Sequence, residues 1–591
     1  MCATCGCSPA DVTPLSKVEA IKAASNFLRG DIVAELGSGT ATFTPESLQV
    51  LKFHGVYQQE DRDRRSEARR LGLAKHHQMM VRTRIPGGVV SADAYLAHDR
   101  IAERWGNGTM RITTRQDFQL HGVLKGDLRA TIGEINHALL TTLGGCGDVE
   151  RNIMCCPAPV ADAFRSELAT ILAELVRVFT PSTHAYHEIW LDGELAADSR
   201  GEDESLYGSQ YLPRKFKTAM ALDDDNCVDV CANDLGLVAL RGADGRVAGF
   251  TALVGGGLGR TRNKPDTFAA VAQPLASVAP SDVVALSRAV VEVQRDHGDR
   301  SDRRHGRLKY LLARRGLDWF RDEVQGRLEF ALGEPVPVTW PRVEDHLGWH
   351  EQGDGNLYLG VPIENGRVAD TPGLLLRSAL REVVTTIRPE VRLTAQQNLI
   401  FAGVTPAQRE AVDAILERHG VERLDAVHPV RRLAMACPAI PTCGLAVAES
   451  ERVLPALVRD ICALVDDIGL TDSPISVRMT GCPNGCARPY LGDVGLVGTT
   501  LGKYDVFLGG DPGGTRLNRL FAPSVPLDDI CALLAPLLAA FAAERHPGEA
   551  FGDWCERFGV DSLARRFAAA AATEVDQPGA TGAATLVAAA P

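Results

Sequence analysis

Four cysteines in two tight pairs are the residues of this chain best suited to chemistry. Cys437 and Cys443 lie in Met-Ala-Cys-Pro-Ala-Ile-Pro-Thr-Cys-Gly, and Cys482 and Cys486 in Thr-Gly-Cys-Pro-Asn-Gly-Cys-Ala-Arg-Pro. Thiolate sulfur is a soft ligand for iron–sulfur clusters and zinc, and loops rich in Gly and Pro turn tightly enough to offer backbone N–H groups to bound sulfide. The spacing is C-x5-C, then 38 residues, then C-x3-C. That is neither the short run of bacterial ferredoxins nor the C-x2-C pairing of most zinc sites. The residues alone therefore predict an iron–sulfur cube, with a structural zinc ion as the alternative.

A second set is cationic. Arg82 and Arg84 flank Thr83, and in an extended segment both side chains would share a face. Arg111, Arg115, Arg151, Lys215 and Lys217 complete the set. Taken singly, each reads as a solvated surface charge. Together they could hold a small oxyanion, since one unit-charge contact at about 4 Å is worth about 4 kcal/mol at an effective dielectric of about 20. A lysine among other cations also has a lowered pKa and gives up its proton more readily. The other cysteines read as bland. Cys2, Cys5 and Cys7 could hold a metal but read as incidental thiols at an exposed terminus, and Cys227 and Cys231, in Cys-Val-Asp-Val-Cys, read as a strand with both thiols on one face.

Composition narrows the possibilities. The 591 residues are 45% hydrophobic, enough for several packed domains. The formal net charge of −12 argues against a nucleic-acid partner. No apolar run is long enough to span a bilayer, and the start lacks the order of a signal peptide. Fifteen cysteines are too sparse for a disulfide scaffold at this length and suit metal binding in a reducing cytoplasm. The Ala/Gly/Thr-rich tail, 566–591, reads as disordered. No Gly-rich nucleotide fingerprint occurs in its expected context.

The elements that must position these residues are duplicated. Met110-Arg-Ile-Thr-Thr-Arg-Gln-Asp-Phe-Gln-Leu-His-Gly-Val123 aligns with Val391-Arg-Leu-Thr-Ala-Gln-Gln-Asn-Leu-Ile-Phe-Ala-Gly-Val404, 281 positions later. At that offset Arg151-Asn-Ile-Met-Cys-Cys-Pro-Ala aligns with Arg432-Leu-Ala-Met-Ala-Cys-Pro-Ala, and Asn233-Asp-Leu-Gly-Leu-Val238 echoes Gly492-Asp-Val-Gly-Leu-Val497 at a shorter one. Cys156 falls opposite Cys437, but Asp162 falls opposite Cys443, so only the second half reads as a cluster site. Helices are predicted over 92–105, capped by Ser91, over 371–387, capped by Thr371 with Pro372 in the first turn, and over 453–468. Strands are predicted over 109–113, 391–394 and 475–479, and Gly255-Gly-Gly257 and Gly509-Gly510 end comparable strands.

From about Asn26 to about Gly559 the chain resembles the sulfite/nitrite reductase family, which carries siroheme beside a [4Fe-4S] cluster. The resemblance implies that Cys437, Cys443, Cys482 and Cys486 hold the cluster and that Cys486 also bridges to the siroheme iron. It places Arg82, Arg151, Lys215 and Lys217 around the substrate. Arg111, Arg115, Gln119, His121, Arg307, Lys309 and Asn484 become candidates for holding siroheme and its carboxylates. It implies an α+β fold with pseudo-twofold symmetry. After an N-terminal arm (1–74) come ferredoxin-like half-domains at 75–147 and 343–425, each followed by a larger α/β domain, at 148–342 and 426–565. The implied activity is assimilatory six-electron reduction of sulfite to sulfide in the cytoplasm, with electrons from another protein. His346-Leu-Gly-Trp-His-Glu-Gln-Gly-Asp-Gly and Cys486-Ala-Arg-Pro-Tyr490 resemble the ferredoxin-dependent enzymes more than the hemoprotein subunit that works with an NADPH-linked flavoprotein. A ferredoxin-nitrite reductase is the alternative on the same fold. Lys217, where nitrite reductases of the family typically have asparagine, separates the two. A zinc-stabilised protein without catalysis is the alternative outside the family.

Overall fold

The computed structural model describes residues 14–183, 188–191, 194–198, 204–340 and 343–574. Cys2, Cys5 and Cys7, and residues 575–591 of the expected tail, lie outside them. Four five-stranded sheets carry the fold, and they form two matching pairs. The first ferredoxin-like sheet runs Val56–Glu60, His77–Arg82, Phe118–Val123, Met110–Ile112 and Arg367–Val368. Its counterpart runs Gly348–Glu351, Leu357–Val361, Leu399–Val404, Glu390–Leu393 and Val89–Val90. Each sheet is thus completed by a two-residue strand from the other half: Arg367 pairs with Arg111, and Val90 with Val391. The strand Val56–Glu60, within the 1–74 arm, forms one edge.

The larger sheets repeat one order as well. Gln273–Val278, Val247–Val254, Leu235–Arg241, Thr218–Leu222 and Met154–Cys155 match Arg519–Pro526, Lys503–Leu508, Val494–Thr500, Val477–Thr480 and Met435–Ala436. In each, the three strands nearest the cysteines are parallel, so the chain leaves them on the same side. The chain is therefore α+β and internally duplicated.

Local chemistry explains most elements. Ser91 accepts from the Ala94 N–H and starts the helix Ala92–Arg104 as predicted. Pro455 sits in the first turn of Leu454–Asp467, where a missing N–H costs nothing. The helix expected from Thr371 begins only at Leu376, because Pro372-Gly373 turns a small hairpin, Asp370–Thr371 with Leu374–Leu375, and Gly373 has φ +84°. Cys227 and Cys231 are not on a strand. Asp229 takes the left-handed conformation (φ +47°) and Val230–Ala232 forms a 3-10 turn, so alternation in the sequence reflected a tight loop. The final helix, Val560–Glu574, continues into the segment read as tail, since alanine favours helix. The glycine pairs after Val254 and Leu508 are steric necessities. A Cβ on Gly256 would collide with the carbonyls of Cys231 and Asn233, and one on Gly510 with that of Leu491.

One apolar core lies between the two ferredoxin-like sheets and their helices, and others fill the larger units. Buried charge joins the halves. Asp99 accepts from Arg377 at 2.7 Å and Arg381 at 2.5 Å. Asp229, in the first half, accepts from Arg478 at 2.9 Å and also pairs with Arg488, both in the second. The two guanidinium groups hold the Asp229 carboxyl below its usual range despite burial. Removing the acid leaves two arginines buried and unpaired, so Asp229→Ala is expected to destabilise the protein by about 3–5 kcal/mol, measured by denaturant unfolding. The loss in wild type comes as pH falls through the lowered folded pKa, because the ion-pair contribution is present above the unfolded value near 3.8.

Candidate active site

The parallel pairing of Met435–Ala436 with Val477–Thr480 sets the two cysteine loops side by side. Cys437 N–H donates to the Met479 carbonyl at 3.2 Å, and Gly481 N–H donates to Cys437 Sγ at 3.4 Å. Gly481 is required there, since a Cβ would meet the Ala448 oxygen at 2.5 Å. Asn484 Nδ2 donates to Cys482 Sγ at 3.5 Å. All four cysteines are free thiols; Cys437 and Cys482 are buried, Cys443 is partly buried and Cys486 exposed. Burial pushes the Cys437 and Cys443 thiols up and Cys482 to about 12, and the neighbouring cysteines add to each shift. Bound iron supplies the positive charge that such a site lacks. Among the described residues, the only group of Cys, His and acidic donors lying wholly within 4.8 Å lies elsewhere.

Cys486 opens on a cleft lined by Thr114, Arg115, Lys215, Lys217, Arg307, Asn484 and Arg488. Lys215 and Lys217 precede the strand Thr218–Leu222 and are half-buried, with no ion-pair partner among the described residues. Desolvation lowers the Lys215 pKa to about 7, helped by Arg214, Arg307 and Arg151. Lys217 is pushed well down by desolvation and by Arg115, Lys215 and Arg307. Arg82 feels the charge of Cys486 and donates to Cys146 Sγ at 3.1 Å; with the Gln119 amide turned over so that its oxygen faces the guanidinium, that oxygen accepts from Arg82 Nε at 3.2 Å. Arg151 donates from Nε to the Gly147 carbonyl at 2.9 Å. Arg84 donates to Thr180 at 2.8 Å, and none of Arg82, Arg84 and Arg151 is among the residues that line the cleft.

The remaining predicted residues divide. Arg115 donates to Asn233 at 2.8 Å, but its Nε is buried without a partner among the described residues. His121 also has an unpartnered, buried Nε2, while burial and the charges of Arg367, Arg111 and Arg82 hold its pKa well below the usual value. Arg307 pairs with Asp234 at 2.6 Å. Lys309 donates to the Gly257 and Gly259 carbonyls at 2.9 and 2.8 Å, organising the glycine turn. Arg111 binds Glu451 at 2.8 Å and the Ala436 carbonyl at 2.7 Å, pinning the strand that delivers Cys437. Arg307 and Arg111 are thus already paired with carboxylates, whereas Lys215, Lys217, the Arg115 Nε and the His121 Nε2 have no such partner among the described residues and fit a polyanionic macrocycle such as siroheme, which carries eight carboxylates.

Three contributors were not singled out from sequence. Arg62 donates to the Cys443 and Ala446 carbonyls at 3.1 and 2.7 Å. Thr114 donates to the Cys486 carbonyl at 2.8 Å. Arg488 donates to the Thr114 and Ala395 carbonyls at 3.0 and 2.8 Å, locking the Cys486 loop against the ferredoxin-like sheets. Only Arg488 had a signal, as part of Cys486-Ala-Arg-Pro.

Comparison with known proteins agrees with this geometry. The nitrite and sulphite reductase 4Fe-4S domain matches residues 174–332 and 432–573, and the nitrite/sulfite reductase ferredoxin-like half domain matches 73–138 and 350–419. The sulfite reductase [ferredoxin] of Synechococcus elongatus is 44% identical over 95% of this chain and 92% of its own length. The sulfite reductase [NADPH] hemoprotein beta-component of Acidithiobacillus ferrooxidans is 47% identical over 92% of this chain and 96% of its own length. The solved structure of Mycobacterium tuberculosis NirA protein superposes with a TM-score of 0.75 at 25% identity, covering 93% of this chain and 98% of its own. The duplicated scaffold, the paired cysteine loops and the cation-lined cleft thus place this chain in the nitrite and sulfite reductase family, whose cofactors are siroheme and a [4Fe-4S] cluster.

Proposed function

We propose that the chain is an assimilatory sulfite reductase that takes electrons from ferredoxin and reduces sulfite to sulfide with six electrons. The observation that carries this reading is that Lys215 and Lys217, two lysines without acidic partners among the described residues, line the same cleft as Cys486. Cys437, Cys443, Cys482 and Cys486 would hold the cluster, and Arg111, Arg115, Gln119, His121, Arg307, Lys309 and Asn484 would surround the siroheme. When bound, these groups supply the iron centre and the single electrons. The chain's own residues do the rest. Arg82 and Arg151 hold the oxyanion and polarise its S–O bonds. Lys215 and Lys217 balance its charge and donate protons as oxygen leaves as water.

Lys215 is protonated below its lowered pKa of about 7 and neutral above it, so sulfite kcat/KM is expected to fall as pH rises through that region. Sulfite's own ionisation affects every variant alike. Lys215→Met should therefore flatten the wild-type profile as well as lower it, and parallel profiles would exclude Lys215 as the titrating group.

The donor reading rests on a basic segment beside the cluster loop. Arg62 grips that loop, and exposed Arg64, Arg65, Arg69 and Arg70 follow on or beside the helix Arg65–Arg70. Arg64 and Arg69 have no ion-pair partner among the described residues. Such a surface suits an acidic ferredoxin. The identity with a hemoprotein beta-component favours a flavoprotein donor as the second reading. Sulfide formation with reduced ferredoxin, compared with an NADPH-linked flavoprotein component, separates them. Arg64→Glu with Arg69→Glu should raise the ferredoxin KM several-fold and weaken its dependence on salt; an unchanged KM removes the docking argument.

A further inference from the structure

The first half carries a donor cluster outside the proposed catalytic cleft. Cys156, Asp225, Cys227 and His346 each offer one ligand atom, and these atoms all lie within 4.8 Å of one another. Cys156 Sγ is 3.2 Å from Asp225 Oδ2 and 3.7 Å from His346 Nε2, and His346 Nε2 is 3.0 Å from Asp225 Oδ2. Zinc bonds of about 2.0–2.3 Å at tetrahedral angles put neighbouring ligand atoms about 3.3–3.8 Å apart, so modest adjustment of these side chains encloses one ion. Asp225, Cys227 and His346 are buried and Cys156 is partly so. The backbone is arranged around them. The Cys227 N–H donates to Asp225 Oδ1 at 2.9 Å, fixing the carboxylate with its other oxygen toward the group. His346 holds φ +54°, an uncommon conformation for a non-glycine residue.

The duplication says why the group sits here. Cys156 directly follows the strand Met154–Cys155, as Cys437 follows Met435–Ala436. Cys227 lies two residues before left-handed Asp229 and the 3-10 turn Val230–Ala232, as Cys486 lies two before left-handed Arg488 and the turn Pro489–Leu491. Two of the four thiols are therefore retained at matching places. The positions matching Cys443 and Cys482 are Asp162, which caps the helix Ala163–Phe179, and Asp223, which accepts from the Arg241 N–H. A cube is not supported there, whereas Asp225 and His346 close the retained pair into a set of single-ion size.

We propose that Cys156, Asp225, Cys227 and His346 form a second metal site that binds one zinc ion, at the pseudo-symmetric counterpart of the cluster site. Two thiolates, an imidazole and a carboxylate leave no open position, so the ion is structural and ties His346, at the start of the second half-domain, to the first large unit.

The test uses the full-length holoenzyme purified from zinc-supplied cells and dialysed free of loose metal. Elemental analysis is expected to give about one zinc per chain beside about five irons. Cys227→Ser and His346→Ala should each lose the zinc while keeping iron and the visible spectrum. A crystal of the wild-type protein, recorded above and below the zinc edge, should show one anomalous peak among the four side chains, which requires no variant to fold. No zinc in the wild type after incubation with zinc chloride, or zinc retained in both variants, overturns the proposal. Zinc and iron are separate readouts, so failure here leaves the sulfite reductase reading intact.

Discussion

Replacing Cys486 with serine is expected to abolish sulfite reduction and to alter the signals of both cofactors. Cys486 is the exposed member of the four and the one that lines the cleft with Lys215 and Lys217. Its loop is fixed by the Thr114 hydroxyl on the Cys486 carbonyl and by Arg488 on the Thr114 and Ala395 carbonyls, so a serine would occupy the same place with a harder, poorer ligand for iron. Loss of a mere supporting partner at a metal site costs about 10–100-fold, and loss of a residue proposed to serve both centres should exceed about 100-fold in kcat. Absorption, cluster resonance and iron content are measured on the same preparation. A serine variant that retains wild-type spectra and turnover would remove Cys486 from the proposed junction.

Lys217→Asn should depress sulfite turnover much more than nitrite turnover. Sulfite carries more charge than nitrite at neutral pH, up to twice as much once its second proton is lost, so losing the positive charge that a protonated Lys217 supplies costs it more Coulomb energy. A unit-charge contact at about 4 Å is worth about 4 kcal/mol at an effective dielectric of about 20, and each 1.4 kcal/mol is about tenfold in rate or affinity. With solvent screening in a half-buried cleft, a difference of about tenfold between the two losses is expected. Comparison of kcat/KM for both anions in both proteins measures it. Equal losses would assign Lys217 to general anion binding or to folding.

Much of this architecture was legible in the sequence because the chain repeats itself. The repeat of 110–123 at 391–404 announced two equivalent segments, each with one expected strand, and the positive-φ turns at Gln116 and Gln397 fall at matching places in them. The cysteine loops were legible because glycine and proline shape them. Less visible was what distant segments do to one another. Strand exchange through Val89–Val90 and Arg367–Val368 involves pieces too short to give a periodic signal. Arg62 reaches the cluster loop from 381 residues away, and no local pattern encodes that distance. Cys-Val-Asp-Val-Cys misled because alternation is shared by strands and by tight loops whose buried side chains happen to alternate. Left-handed Asp229, held by Arg478 and Arg488 from the other half, decides the matter through tertiary contacts. The cation set was legible as a list, but only the fold separates Arg84, bound to Thr180, from Lys215 and Lys217 on the cleft.

The central claim is that the cleft beside Cys486 is built for sulfite. Its most direct test is the ratio of kcat/KM for sulfite to that for nitrite in the wild-type protein, with reduced methyl viologen as the shared electron donor and sulfide and ammonia as the measured products. The account predicts a ratio above one, with six electrons consumed per sulfide released. A ratio below one, or sulfite consumed without sulfide, would contradict it.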